Sequence, residues 1–241
     1  VTRLSPPNIY ECPDCRGHFC KSSVAFMNYS GAHRWSDGQL SAWWSASSLP
    51  VVCCPSCAAI LWLEDLREIG EVRFAPRPVG KVTAAWLKLT GDRHGRLRAI
   101  HQWEALPESI KSPNDADTLE PSDWLMALQA TSDPERERFL RHWIWWVGNN
   151  HKRISAGERA EEAMPAFSPE QVRENMQRLL QLYERDDKRQ VDRGEILRQL
   201  GRFDEAVRVL KAVRPDGHSE VRAVRIQRLA QAGDSELRLL E

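Results

Sequence analysis

Two short motifs constrain this chain more than anything else in it: Cys12-Pro13-Asp14-Cys15 and Cys54-Pro55-Ser56-Cys57. Each is a Cys-Pro-x-Cys turn, and the 38 residues from 16 to 53 lie between them. Two residues between cysteines make a tight turn that aims both sulfurs the same way. Proline fixes φ there, so ordering the turn costs little entropy. A tetrahedral Zn2+ ion takes four thiolates, and each knuckle can supply one edge of that tetrahedron. One such motif is compatible with a redox pair, whereas two with the same internal proline point to a structural metal. The expected ligands are therefore Cys12, Cys15, Cys54 and Cys57, and the expected cofactor is zinc.

The chain has six cysteines, so two are spare. Cys20 follows Cys15 closely enough to compete as a ligand. Cys53 sits at a strand position whose side chain alternates away from its neighbour, which suits a small buried residue. His18 and His33 are the non-cysteine alternatives, and each reads more simply as a surface or half-buried histidine.

The residues around the knuckles carry a resemblance. Phe19 follows the first knuckle, Trp35-Ser36-Asp37-Gly38 forms a turn between the two, and Leu61-Trp62-Leu63-Glu64-Asp65 and Ile69-Gly70 follow the second. Farther on, the string from Glu195 to Ala206 resembles the centre of a tetratricopeptide repeat: Gly201 at the turn, Phe203 at the aromatic position, Ala206 where helices approach closely, and Pro215 as a stop. Together these look like a group of uncharacterised bacterial proteins with an N-terminal zinc ribbon and tetratricopeptide-like helices. The resemblance covers about residues 10–70 and 135–215, and it implies a glycine after each knuckle. Here Arg16 precedes Gly17, and Ala58 follows Cys57 directly. No second copy of the repeat recurs at its period, so a long solenoid is not expected.

At 241 residues the chain can bury a sizeable core in one or two domains. Lysine and arginine balance aspartate and glutamate at 34 each, so no global basic excess drives phosphate binding. No apolar run approaches the length of a membrane span, and the first residues lack the apolar stretch of a signal peptide. A cytoplasmic setting is expected, where thiols stay reduced and zinc is favoured over disulfides. Ten tryptophans imply an aromatic-rich core or exposed binding anchors.

The expected fold class is α+β. A small β zinc ribbon spans residues 1–70, an irregular or β connecting segment spans 71–118, and a mainly helical, tetratricopeptide-like domain spans 119–241, with its hairpin at about 190–215. Asp37-Gly38 between short apolar stretches reads as a hairpin turn. Residues 82–89 read as a strand or a short helix. Arg96 to Trp103 alternates polar and apolar as a half-buried strand does. Residues 112–117 read as a loop and a domain boundary. Asp133-Pro134 and Ser168-Pro169 are strong helix starts, the second with Gln171 completing a capping box. A helix capped by Ser219 is expected to bury Val221, Val224, Ile226 and Leu229.

No phosphate loop, nucleophile elbow or zinc-protease motif occurs, and four thiolates would leave zinc no open position for water. The expected function is therefore non-enzymatic: a module that binds another protein, as an adaptor or as an inhibitor of a toxin. On the helix from Pro134, Trp145 falls off the Phe139/Trp143/Val147 stripe and lies with Arg141 and Asn149, so these three form the expected partner-binding strip. The alternatives are a nucleic-acid-binding ribbon, since stacking aromatics with arginine suit single strands, and an enzyme with a site in residues 71–118.

Overall fold

The computed structural model describes residues 3–26, 32–41, 49–72, 75–92, 95–154, 164–213 and 218–240. In chain order the strands are β1 (Arg3–Leu4), β2 (Asn8–Glu11), β3 (His18–Lys21), β4 (Val24–Phe26), β5 (His33–Trp35), β6 (Leu40–Ser41), β7 (Val51–Cys53), β8 (Ile60–Trp62), β9 (Glu68–Glu71), β10 (Asn114–Asp115) and β11 (Leu239–Leu240). The helices are α1 (Lys81–Thr90), α2 (Arg96–Glu104), α3 (Glu108–Lys111), α4 (Pro121–Ala130), α5 (Pro134–Ile154), α6 (Pro169–Leu182), α7 (Gln190–Gln199), α8 (Phe203–Lys211) and α9 (His218–Gln231). The α+β class is observed, with small sheets near the N-terminus and a helical C-terminal part.

Two compact units divide the chain. One comprises Val1–Asn28 and Ala46–Leu119, the other Tyr29–Ser45 and Glu120–Glu241. This departs from an unbroken ribbon over 1–70. The turn from Trp35 to Gly38, expected in the ribbon, belongs to the helical unit. The reason is chemical: Ser36 and Asp37 are fully buried, and their partners are the helix residues Glu195, Arg198, Asn149 and Arg153.

In the N-terminal unit β2 and β3 form an antiparallel hairpin, β9 pairs with β2, and β10 pairs parallel with β3, giving the order β10-β3-β2-β9. β7 and β8 form a second hairpin. Cys12, Phe19, Val52, Cys54 and Leu61 make the buried core beneath the two hairpins. Residues 112–117 lead up to the boundary, as expected, but they are tied into this unit rather than forming a free loop: Ala116 N donates to Cys20 O at 2.8 Å, and Asp117 N to Cys53 O at 3.1 Å. The unit ends at Leu119.

The 71–118 segment keeps irregular stretches and the short β10, but it also carries the three helices α1, α2 and α3. Residues 82–89 lie in α1, and the stretch expected as a strand, Arg96 to Trp103, is α2. Asp92 starts α2, its carboxylate accepting from the backbone N–H of Arg96 and Leu97 at 2.7 Å each. Pairing these orphan donors fixes the first turn, and an eight-residue alternation is too short to compete. Leu97, Ile100 and Trp103, all half-buried, recur at the three-residue spacing of a helix face.

In the C-terminal unit consecutive helices from α4 to α9 pack against one another. Both expected starts are present. Asp133 accepts from Glu135 N at 2.7 Å, and Ser168 with Gln171 forms the capping box. Gly201 takes φ 75° at the turn between α7 and α8, and Ala206 is fully buried. A Cβ on Gly194 would meet Leu210 Cδ2 at 2.5 Å, so glycine is what lets α7 and α8 close. On α9 the buried residues are Ala223, Ile226 and Ala230, whereas Val221 and Val224, expected in the core, are exposed. Pro215, the expected stop, lies outside the described residues.

Candidate metal centre

Each knuckle is the tip of a hairpin. Cys12–Cys15 joins β2 to β3, and Cys54–Cys57 joins β7 to β8. The two share one backbone design. Cys12 N donates to Gly17 O at 2.9 Å and Arg16 N to Cys12 O at 3.0 Å; Cys54 N donates to Ala59 O at 2.9 Å and Ala58 N to Cys54 O at 2.8 Å. Arg16 and Ala58 both adopt φ 58°. The second knuckle thus keeps the left-handed residue that a glycine would ordinarily supply, held there by the flanking ladder.

These tips bring the four sulfurs together, all within 4.8 Å of one another. Cys12 Sγ lies 3.7 Å from Cys57 Sγ, and Cys15 Sγ lies 3.7 Å from Cys54 Sγ. A tetrahedral ion with Zn–S arms of about 2.3 Å needs sulfur–sulfur edges of about 3.8 Å. The geometry therefore fits four-thiolate coordination of a metal ion. Cys12 and Cys54, the first cysteine of each knuckle, are buried in the apolar core, while Cys15 and Cys57 face solvent. Gly17 N lies 3.4 Å from Cys15 Sγ, a donor placed where a thiolate accepts.

The thiols differ in acidity. Burial raises the Cys12 pKa. Burial acts on Cys54 too, but the backbone N–H groups of Ser56 and Cys57 and the thiols of Cys57 and Cys12 outweigh it and lower its pKa. The N–H of Ala59 acts to lower Cys57, yet desolvation and the thiols of Cys15, Cys54 and Cys12 push it up to about 12. A dication at the centre removes this competition, because a coordinating thiol is deprotonated outright.

The spare cysteines stay out of the cluster. Cys20 Sγ lies 3.2 Å from Asp115 Oδ1, and burial together with that carboxylate pushes its thiol up to about 12. Cys53 is buried in β7. His18 Nδ1 is 2.9 Å from Ser109 Oγ, away from the sulfurs.

The expected partner-binding strip is not a surface. Trp145 is 1 % exposed and packs with Met176, Leu179, Tyr183 and Ile196. Its Nε1 donates to Gln199 Oε1 at 2.9 Å. Asn149 is buried and donates from Nδ2 to Asp37 Oδ2 at 3.0 Å. Arg141 is half-buried, its Nε donating to Glu137 Oε1 at 2.8 Å. The physical reason is that α5 is covered on more than one side. Trp143 stacks on Trp124 of α4 with ring centroids 5.9 Å apart, α6 packs alongside, and Trp146 Nε1 donates to Asp37 O at 3.1 Å. A single apolar stripe describes a helix at the edge of a core, not one inside it.

Sequence reasoning also missed a buried ionic network. Arg198 donates to both oxygens of Glu195, at 2.8 and 2.7 Å, and to Glu236 O at 2.8 Å. Arg222 donates to Ser36 O and, at 2.7 Å, to Asp192 Oδ1. Arg153 is paired with Asp37. Glu195 and Arg198 at (i, i+3) were visible in the sequence, but that spacing is commonplace on solvated helices and gives no sign of burial.

No family model matches the chain, and neither a curated protein nor a solved structure matches it. Among the described residues, no helix is long and apolar enough to cross a membrane.

Proposed function

We propose that Cys12, Cys15, Cys54 and Cys57 hold one zinc ion as a structural brace, and that the chain acts by binding another protein, as an adaptor or as the inhibitor of a toxin, rather than by catalysis. The observation that carries the metal reading is the pair of 3.7 Å sulfur–sulfur edges between the two knuckles. Four thiols suit a soft ion such as zinc or iron, zinc being the redox-inert choice for a brace, and four thiolate bonds leave no position for a water molecule. The ion then ties two short hairpins that have little apolar core of their own. Support for partner binding comes from the helical unit, where consecutive helices pack as neighbours from α4 to α9. Stacked helical hairpins present grooves that take peptides or helices.

The test has two arms. The purified protein should contain about one zinc per chain by elemental analysis, and a Cys54→Ser/Cys57→Ser variant should lose it while Cys53→Ser keeps it. Absence of zinc, or retention in the double variant, sinks the metal reading. Affinity capture from the native host, with mass spectrometry and reconstitution from purified components, should return a protein that binds directly. Recovery of nucleic acid alone, with binding that weakens steeply with salt, would favour the other reading.

A further inference from the structure

Helix α1 belongs to the N-terminal unit and buries one side only. Leu87 is buried and Ala84 half-buried. Val82, Trp86 and Leu89 are 84 %, 60 % and 87 % exposed. At 100° per residue these three fall within an arc of about 60°, on the far side of the helix from Leu87. The helix thus packs through Leu87 and turns three large apolar side chains together into solvent. Single exposed apolar residues need no explanation, but a cluster at one spot marks an interaction surface.

The charge around α1 says what covers that strip. The chain as a whole is neutral, yet between Glu71 and Glu104 seven lysines and arginines face one acid, Asp92. The Asp92 carboxylate is itself committed to the backbone N–H groups of Arg96, Leu97 and Arg98. Arg77, Lys81, Lys88, Arg96 and Arg98 are all exposed. Lys81 and Lys88, seven residues apart, share the flank of α1 next to the strip.

We infer that α1 lies in the surface of an anionic lipid bilayer, with Val82, Trp86 and Leu89 at the boundary of the acyl chains and the basic side chains on the lipid phosphates. An apolar strip that contains tryptophan and is flanked by lysine is the composition of a helix lying in the interface plane. Such a helix needs no membrane-spanning length. The pairing of strip and charge favours lipid over other anions. A nucleic acid would neutralise the cations and stack on Trp86, but it would leave Val82 and Leu89 in water. An anionic bilayer offers hydrocarbon and phosphate side by side over its whole surface, so both are satisfied at once. One short apolar strip gives marginal affinity, and the basic residues supply the second signal that stable attachment takes. The inference goes beyond the partner-binding reading and does not depend on it.

The test is co-sedimentation of the full chain, at physiological ionic strength, with vesicles of phosphatidylcholine alone and of equal parts phosphatidylcholine and phosphatidylserine. The chain should bind the mixed vesicles and not the neutral ones. Each basic residue near an anionic leaflet strengthens binding about fivefold, so Lys81→Glu/Lys88→Glu should weaken it by roughly twentyfold or more. Val82→Ser/Leu89→Ser should weaken it by about tenfold or more. All four side chains are exposed, so both variants should melt with wild type, and the lysine pair still tests the proposal should the serine pair fail to fold. No binding to the mixed vesicles overturns the proposal, as does binding that neither variant weakens. Loss in the lysine variant with none in a folded serine variant also overturns it, because the surface is then held by charge without the strip. Retention of single-stranded DNA without vesicle binding would assign the basic segment to nucleic acid instead.

Discussion

Ser36 Oγ donates to Glu195 Oε1 at 2.6 Å, joining two fully buried residues that are 159 positions apart. Arg198 Nη2 reaches the same hydroxyl at 3.3 Å, and Arg222 closes on the Ser36 carbonyl at 2.9 Å. The segment carrying Ser36 and Asp37 thus works as a polar plug for the helical unit: Asp37 pairs with Arg153, and Ser36 adds hydrogen bonds to Arg198 and Arg222 beyond those the two arginines make to Glu195 and Asp192. A fragment of residues 120–241 alone should therefore be poorly packed, since Arg153 loses Asp37 and buried charges lose their compensation. Near-ultraviolet circular dichroism and a urea titration check this. A cooperative transition at the full-chain midpoint would show the plug to be dispensable.

Within the plug's socket, Glu195 and Arg198 are both fully buried. Removing one member of such a pair strands a charge in the interior and typically costs about 3–5 kcal/mol. Replacing both with apolar residues of similar volume costs much less. Arg198→Met should therefore destabilise the chain more than Glu195→Leu/Arg198→Met does. The double-mutant cycle is read by urea denaturation, and a double variant worse than the single would mean the network is worth more than its desolvation.

Trp145 and Trp143 exchange the roles that a one-stripe helical wheel assigns them. Trp145 is 1 % exposed, while Trp143 is half-buried against Trp124. Trp145→Ala should cost about 3–5 kcal/mol through the cavity it leaves, and Trp143→Ala should cost less. Thermal melts of the two variants side by side decide the order.

What the sequence disclosed follows the range of the interactions. Knuckle ligands, helix starts at Asp133 and Ser168, and the Gly201 turn are set within a few residues, so their signals are local. The membership of residues 33–41 in the helical unit depends on Glu195 and Arg198, far along the chain, and nothing near Asp37 announces it. The α2 helix was obscured for a different reason. Its alternation is short, and the decisive group is the Asp92 carboxylate, whose reach onto three backbone N–H groups is a matter of conformation.

At the second knuckle Ala58 holds φ 58°. An L-residue pays a steric cost there that glycine does not, partly offset by the greater freedom of glycine in the unfolded chain. Ala58→Gly should therefore stabilise the protein by about 1 kcal/mol. Arg16→Gly should gain less, because it also removes the exposed pair with Glu11 at 3.1 Å. Denaturant midpoints of the protein as purified test both; a loss of stability for Ala58→Gly would mean that the alanine methyl packs usefully.

The helical unit should also carry an acid-sensitive element at His142. Its Nδ1 lies 2.6 Å from Tyr183 OH, and its ring meets Trp146 edge-on with centroids 4.3 Å apart. Desolvation in this aromatic box lowers the His142 pKa to about 4; Asp192 acts to raise it, while Arg189 and Arg222 act to lower it. Unfolded, the same imidazole titrates near 6.5. Above that value both states are neutral, and the native state has its full advantage. As pH falls from 6.5 towards 4 the unfolded chain binds a proton that the native state refuses, so stability is lost across that window, by about 3 kcal/mol in total. Other groups act on either side of this effect. Burial raises the Asp37 pKa, which favours the native state as pH falls towards the ordinary carboxylate range. His151 is lowered by burial and by Lys152 and works in the same direction as His142. Glu137, held down to about 2 chiefly by Arg178, begins to lose its contribution as pH falls through the ordinary carboxylate range and so works in the same direction as His142 at the acid end of the series. The comparison that isolates His142 is therefore a difference: urea unfolding of wild type and His142→Gln at pH 7, 6, 5 and 4. Wild type should lose about 3 kcal/mol more than the variant over that range. Parallel pH profiles would show that His142 takes up its proton equally in both states and that the aromatic box does not exclude it.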